Sequence, residues 1–565
     1  MRRVSLTLSC IGLAGAGVLA AAEGPQEKAP TQPHGVFRGV STAVKFDISP
    51  PLRSLANVVN AVERQGDIGR DSGLEGPLGP QTPDSVVQTS VGSGEIPAPT
   101  ISFDGFDGLG PNPPDPVGDV GPNHYVAMAN LRFAIYDKTG ALLFGPVNNN
   151  TLWAGFGGDC QTDNSGDPIV LHDQLADRWI LTQFTASGPT FFNCVAVSTT
   201  PDPTGTYFRW AFSNGIDFPD YPKYGVWPEA LFISTRDFAN GTTFVGISAF
   251  AINRAELMAG NPTPQVIEFF VSPATAGGAF NIGDGLLPSD LDGTTLPPAG
   301  APNWFIGSRD QGGPYGAPND SLTMWRYIAD FTNPPASSFT LVTTLPVSAF
   351  DSIFPCAPTS RACIPQPPPT GATQKLDHLG YRQRPLHRAA YRNFGTHESI
   401  VTNQSVEATA NMSGVRWYEI RNPNTAPAIF QDGTYAPADG VHRWMGSIAQ
   451  DRAGNMALGF SVSNITTVFP GIRYTGRLST DPLGQMAQGE EVFINGIGAQ
   501  LTTNNRWGDY TSMNVDPSDD CEFWYINEYY PVSAATAWRL RIGSFTYPAP
   551  QCIPVPVELQ SFHIE

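Results

Sequence analysis

From Ala98 onward, short runs of alternating or wholly apolar residues recur along the chain, each closed by a turn rich in Asp, Gly, Pro or Asn. The clearest case is Arg506 to Tyr530. Asp509 opens the alternating run Tyr510 to Val515, and Asp516-Pro517-Ser518-Asp519-Asp520 turns the chain. The aromatic run Phe523 to Tyr530 then has the β-propensity of an inner sheet strand. Weaker copies of this strand–turn–strand unit begin at Asp115-Pro116-Val117-Gly118-Asp119, at Asp167-Pro168-Ile169 and at Asp220-Tyr221-Pro222-Lys223. Others are carried by NWFIGSRD with SLTMWRYIADF, by HRAAYRNF with SIVTNQSVE, and by RWMGSIAQD with MALGFSVS. Seven units can be read in this way, the fourth faintly.

One such unit cannot bury both faces of its sheet, and radial repetition packs sheet on sheet. The expected fold is therefore all-β: a seven-bladed β-propeller over residues 98–550, with six or eight blades, or a pair of β-sandwiches, as the alternatives. The unit spacing of about 50–80 residues exceeds the roughly 40–50 of most blades. The excess falls in Gly/Pro-rich insertions, Ser272 to Pro302 and Phe350 to Leu376. Residues 23–97 read as a Pro/Gly-rich arm or linker in which only Val36 to Leu55 alternates enough for a strand, and residues 551–565 as a tail.

Composition agrees. Gly (58) and Pro (53) are abundant, and 41% apolar with 11% aromatic residues suffices for a sizeable core. A net charge of −19 argues against nucleic acid or an anionic membrane as partner. Met1 to Ala22 reads as a secretory signal, with Arg2 and Arg3 before the apolar run Leu6 to Leu19; a lipobox at Leu8-Ser9-Cys10 has too short an apolar stretch before it. No later stretch is long and apolar enough to span a bilayer. Beyond Cys10, six cysteines form three local pairs, Cys160 with Cys194, Cys356 with Cys363 and Cys521 with Cys552, and structural disulfides in an exported monomer are expected.

The strings DPVGDVGPNHYV, DRWILTQF, DYPKYGVWPEALFIST, YRNFGTHES, HRWMGSIAQDRAGNMALGFSVS and RWGDYTSMNVDPSDDCEFWYINEYY resemble a widespread group of secreted bacterial proteins described as propeller-like or sialidase-like (BNR-like). The resemblance runs from about Ile101 to Phe545 and implies the fold rather than a reaction. The sialidase Asp-box, Ser-x-Asp-x-Gly-x-Thr-Trp, is only approximated by turns such as Asp451-Arg452-Ala453-Gly454-Asn455.

Candidate chemistry is positional. Asp115, Asp167, Asp220 and Asp509 each open the first strand of a unit and would ring one mouth of a propeller channel. Four carboxylates there repel unless they hold a hard cation, Ca²⁺ or Mg²⁺, pair with bases, or share protons. Lys223, Arg388 and Arg443 lie near strand starts and are the candidate bases. His397-Glu398, in a tight turn, is a candidate acid/base pair. A lyase would need a Tyr or His base with a cation or arginine to steady an enolate, roles open to Tyr510, Tyr221, Arg388 and Arg443. A hydrolase would need two carboxylates about 5–10 Å apart. No GxSxG, HExxH or phosphate-cradling glycine loop is present. Two classes of function follow: a propeller that binds a glycan or cell-surface partner, and a sialidase-like glycoside hydrolase or polysaccharide lyase working at the channel mouth.

Overall fold

The apolar runs pair with their sequence neighbours because tight Asx and glycine turns bring each strand back beside the last. The computed structural model describes residues 32–55, 82–108, 111–356, 361–378 and 383–554; the expected signal segment and most of the tail lie outside them. Within the described residues the strands form six sheets, three of four strands, two of five and one of nine. The nine-stranded sheet divides at a parallel pair, which leaves seven successive antiparallel units. Their first strands are Val117–Val120, Ile169–Asp173, Asp217–Val226, Leu287–Asp292, Leu386–Asn393, His442–Gln450 and Ser512–Val515. Each of these touches the next, and the last touches the first, which closes a ring. The architecture is a β-propeller.

The ring closes on a strand from early in the chain. Unit seven takes three strands from the C-terminal end and its outermost from Ile101–Asp107, paired antiparallel with Arg539–Thr546. The arm is no free linker. Val36–Ser41 becomes the outermost strand of unit three, Lys45–Ile48 of unit two, and Val87–Gln88 pairs with unit five. Arg209, 1% exposed, explains one of these attachments, since its guanidinium holds Asp47 through two bonds of 2.7 and 2.6 Å.

Ser272 to Pro302, read from the sequence as an insertion, contains the first strand of unit four, Leu287–Asp292. Its proline and closely spaced aspartates mask the alternation. Between units four and five the first strands also pair directly, in parallel.

Apolar clusters lie between neighbouring sheets, and Trp179, Trp227, Trp444, Trp507 and Trp524 are all buried there. None presents a stacking face to solvent. Close approach between units six and seven requires Gly459, where a Cβ would lie 2.3 Å from the Tyr525 ring. Three disulfides join Cys160–Cys194, Cys356–Cys363 and Cys521–Cys552. No helix among the described residues is long and apolar enough to cross a membrane.

Candidate functional site

At the point where the chain enters each first strand, one residue has a left-handed backbone. These are Asp115 (φ 47°), Asp167 (36°), Tyr221 (50°), Gly283 (62°), Gln383 (46°), Met445 (51°) and Asp509 (75°). In Tyr221 and Met445 the turn sits inside the strand, where the register slips. Aspartate tolerates this region better than most residues; tyrosine and methionine do so only at a strain cost, of order 1–3 kcal/mol. Repeated at corresponding places in the units, the turn gathers chemically active side chains at one mouth of the ring.

Four of the gathered groups are the expected aspartates. Asp115 is buried, its N–H donating to the Gly508 carbonyl at 2.9 Å, which ties unit one to unit seven. Burial pushes its carboxyl well above the usual carboxylate range, and the charges of Asp509 and Asp167 push it further. Asp167 receives a hydrogen bond from Asp115 and donates its own N–H to Asn130 Oδ1 at 3.0 Å. Burial and then Asp220 raise its pKa to about 7. Asp509 is the ionised member: burial opposes its charge, but Arg506 at 2.5 Å, with Arg384 and Arg361 nearby, holds it below the ordinary value. Asp220 pairs with Arg236 at 2.9 Å.

Lys223 provides the charge at the centre. Its ammonium lies 3.4 Å from the Tyr221 ring centroid and 3.8 Å from that of Tyr510, and donates to the Pro222 carbonyl at 3.0 Å. Burial lowers its pKa to about 7, with Asp167 acting in the other direction. The Arg384 guanidinium also sits 3.4 Å from the Tyr221 ring centroid and bonds Asp284 at 3.1 Å, and Arg236 bonds the same carboxylate at 2.8 Å. Tyr221 and Tyr510 are locked by their hydroxyls, which donate to the backbone carbonyls of Asp509 and Pro168 at 3.1 and 3.3 Å.

The second insertion lies over this mouth. In it Ile364 and Leu376 exchange backbone hydrogen bonds of 2.8 Å, and Arg361 bonds Asp377 at 2.8 Å. Asp377 reaches Arg506 at 3.8 Å, and its N–H donates to the Asn505 carbonyl at 2.7 Å. Residues 361–378 therefore cover the side of units five to seven. Asp167 and Asp220 remain partly exposed on the other side.

Burial and its acidic neighbours disfavour a charge on Asp115, and the remaining charges match in number. Asp167, Asp220, Asp284, Asp377 and Asp509 face Lys223, Arg236, Arg361, Arg384 and Arg506. Moving a proton between Asp167 and Lys223 leaves that sum unchanged. Among the described residues no three His, Cys, Asp or Glu side chains are arranged to hold a metal ion.

The other sequence candidates fall elsewhere. Arg388 lies a layer deeper, buried between Asp290 at 3.0 Å and Asp292 at 2.6 Å. Arg443 is held by Asp439 at 2.8 Å and Glu490 at 2.6 Å in unit six. His397 stacks on Phe394, ring centroids 4.8 Å apart, in the turn after the first strand of unit five, at the opposite end from the mouth. Glu398 accepts from the Tyr391 hydroxyl at 2.6 Å and from Asn424. The pair faces two different partners and forms no acid/base couple. Tyr510 is in the cluster, but burial pushes its hydroxyl well above the ordinary phenol value, so it is no base.

Sequence reasoning missed Asp284, Arg384 and Arg506. Asp284 carried a signal, an aspartate set between Gly283 and Gly285 just ahead of an apolar run, as at the other strand starts.

Fold and site together define a β-propeller whose centre is filled by paired charges. No protein-family model matches the sequence, and no curated protein matches it. Solved structures with a similar course include an endo-arabinase from Bacteroides thetaiotaomicron, at 9% identity and TM-score 0.27, covering 68% of this chain and 94% of that one. An α-L-arabinanase from Penicillium chrysogenum, complexed with arabinobiose, gives 9% and 0.31, covering 66% and 95%. A xylan β-1,4-xylosidase from Bacillus halodurans gives 8% and 0.29, covering 80% and 97%. Likeness at this level says nothing of a substrate.

Proposed function

We propose that the protein is exported, stapled by its disulfides, and binds a polyhydroxylated ligand, a glycan or glycan-bearing surface partner, at the uncovered side of the mouth. One observation carries the reading. Of the aspartates gathered there, only Asp167 and Asp220 are not fully buried as residues, the Asp220 carboxylate being held by Arg236, while Asp115, Asp284, Asp377 and Asp509 are buried. Carboxylates accept hydrogen bonds from vicinal hydroxyls, and strained backbone at a mouth marks a position that the surrounding structure holds in place. Export rests on the Met1 to Ala22 segment together with the three disulfides.

Binding without turnover is favoured over hydrolysis or elimination. Asp115 and Asp167 are hydrogen-bonded to each other, far closer than the roughly 5–10 Å that glycosidase carboxyl pairs span. The base expected of an eliminating enzyme, the Tyr510 hydroxyl, is buried and committed to a carbonyl.

A glycan array followed by titration calorimetry tests this. The parent protein is expected to bind, and Asp167→Asn to weaken binding at least tenfold at a temperature where its melt shows it fully folded. Absence of binding, or release of reducing ends or unsaturated products, overturns the reading. A Ca²⁺ or Mg²⁺ ion between Asp167 and Asp220 is the competing way to hold hydroxyls, and binding that EDTA abolishes would establish it.

A further inference from the structure

The 361–378 cover meets the body through two kinds of contact. One is polar. Asn505 Nδ2 donates to the Thr373 and Lys375 carbonyls at 2.8 and 2.9 Å, and the Gln366 side-chain amide donates to the Gln500 carbonyl at 3.1 Å and accepts from the Gln500 N–H at 2.8 Å. The other is apolar, with Ile364 and Leu376 packed in the same cluster as Trp444 and Trp507. At the end of the cover, on this apolar side, sits His378. It is 1% exposed, and among the described residues its ring nitrogens face no side-chain partner, only the Val406 backbone. Its ring lies 4.8 Å from Phe354, and Phe354 lies 5.7 Å from the buried His442 that opens the first strand of unit six. A histidine pair has thus been enclosed between cover and body without a carboxylate partner.

We propose that residues 361–378 form an acid-released lid over the mouth, held shut by the neutral His378–Phe354–His442 stack. The inference does not depend on what the mouth binds. Burial, with the two histidines repelling each other, lowers the His378 pKa to about 3, and burial with Arg443 lowers His442 to about 4. In an opened lid His378 returns to about 6.5, while His442 stays in its strand against Phe354, Ser413 and Arg443. The open state then takes up a proton that the closed state refuses. Closure is fully favoured above about pH 6.5 and weakens steadily as the pH falls toward 4.

The other charged groups at this seam are accounted for. Arg443 is neutralised by Asp439 and Glu490, and it disfavours the imidazolium of His442. Asp377, next to His378, is turned to Arg361 and Arg506. Beyond the Val406 backbone that faces His378, Asp351 and Glu407 lie close together with raised pKa values, chiefly through burial, but neither belongs to 361–378 and their contact with each other stays in place when the lid opens.

Hydrogen exchange read by mass spectrometry, corrected for intrinsic rates, decides the matter between pH 7.5 and 5, above the ordinary carboxylate range. Protection of the 361–378 amides in the parent protein should fall by roughly 30-fold as His378 is released, while the buried strand Met412–Arg421 stays protected. His378→Phe combined with His442→Phe, which keeps the rings and removes the protons, should abolish that fall. His378→Phe alone should do the same and serves if the double variant does not fold. Lid protection independent of pH in the parent overturns the proposal, as does a fall of the same size in the substituted proteins.

Discussion

Lys223 is the residue on which the mouth depends, because it brings a positive charge among Asp115, Asp167 and Asp509 without leaving the protein interior. Removing one partner of a buried charge group typically costs about 3–5 kcal/mol. Lys223→Met keeps the aliphatic length and the contact with both tyrosine rings, so the charge is the main loss. Denaturant unfolding should show a loss of that order, partly restored by adding Asp167→Asn; a loss below about 1 kcal/mol would show that the aspartates do not need it. The four aspartates were legible in the sequence because each sits next to proline or tyrosine at the start of an alternating run. Arg384 and Arg506 were not. They come from irregular chain, where no periodicity says which end of the ring they approach. His397-Glu398 misled for the opposite reason, since adjacency in sequence says nothing of direction in a tight turn.

Among the elements, the N-terminal arm is the one the sequence understated. Its strands alternate weakly because they are outermost and bury neither face fully, with Val36, Val40, Val44 and Ile48 exposed. Attachment comes instead from backbone pairing and from particular bonds such as Asp47 to Arg209. Asp47→Ala should lower stability by about 1–3 kcal/mol, by leaving a buried guanidinium with only the Leu152 and Ala154 carbonyls. Limited proteolysis should then cut within the arm sooner than in the parent; an unchanged digestion pattern and unfolding midpoint would contradict the attachment. Between sheets, Gly459→Ala should cost about 1–3 kcal/mol, because the added methyl must displace the Tyr525 ring from between units six and seven. A neutral result would mean the blades can separate slightly at no cost.

Over the whole molecule, the repeat of strand pattern and turn residues made the propeller readable, while the cover did not follow from any pattern. Buried carboxyls set the expected pH behaviour. Asp237, Asp290, Asp351 and Asp451 are raised to about 7 and Asp310 to about 8, each chiefly by burial. Raised carboxyls contribute stability that is full below the unfolded value near 3.8 and is lost as the pH rises through 7 to 8. The melting temperature should therefore be higher at pH 5.5 than at pH 8, even as lid protection falls over the same interval. A melting temperature that rises toward pH 8 would mean that these carboxyls are ionised in the folded protein.

The balance of charge at the mouth is the claim from which the binding site follows, and a thermal melt of the mature protein tests it most directly. The melt is recorded in excess EDTA and again after Ca²⁺ or Mg²⁺ is restored, since an ion bound only by the folded state raises stability by mass action. With Lys223 and the arginines already matching the carboxylates, the curves should superimpose. A melting temperature that drops in EDTA and returns with the metal would contradict the account and make Asp115, Asp167, Asp220 and Asp509 the first residues to examine as ligands.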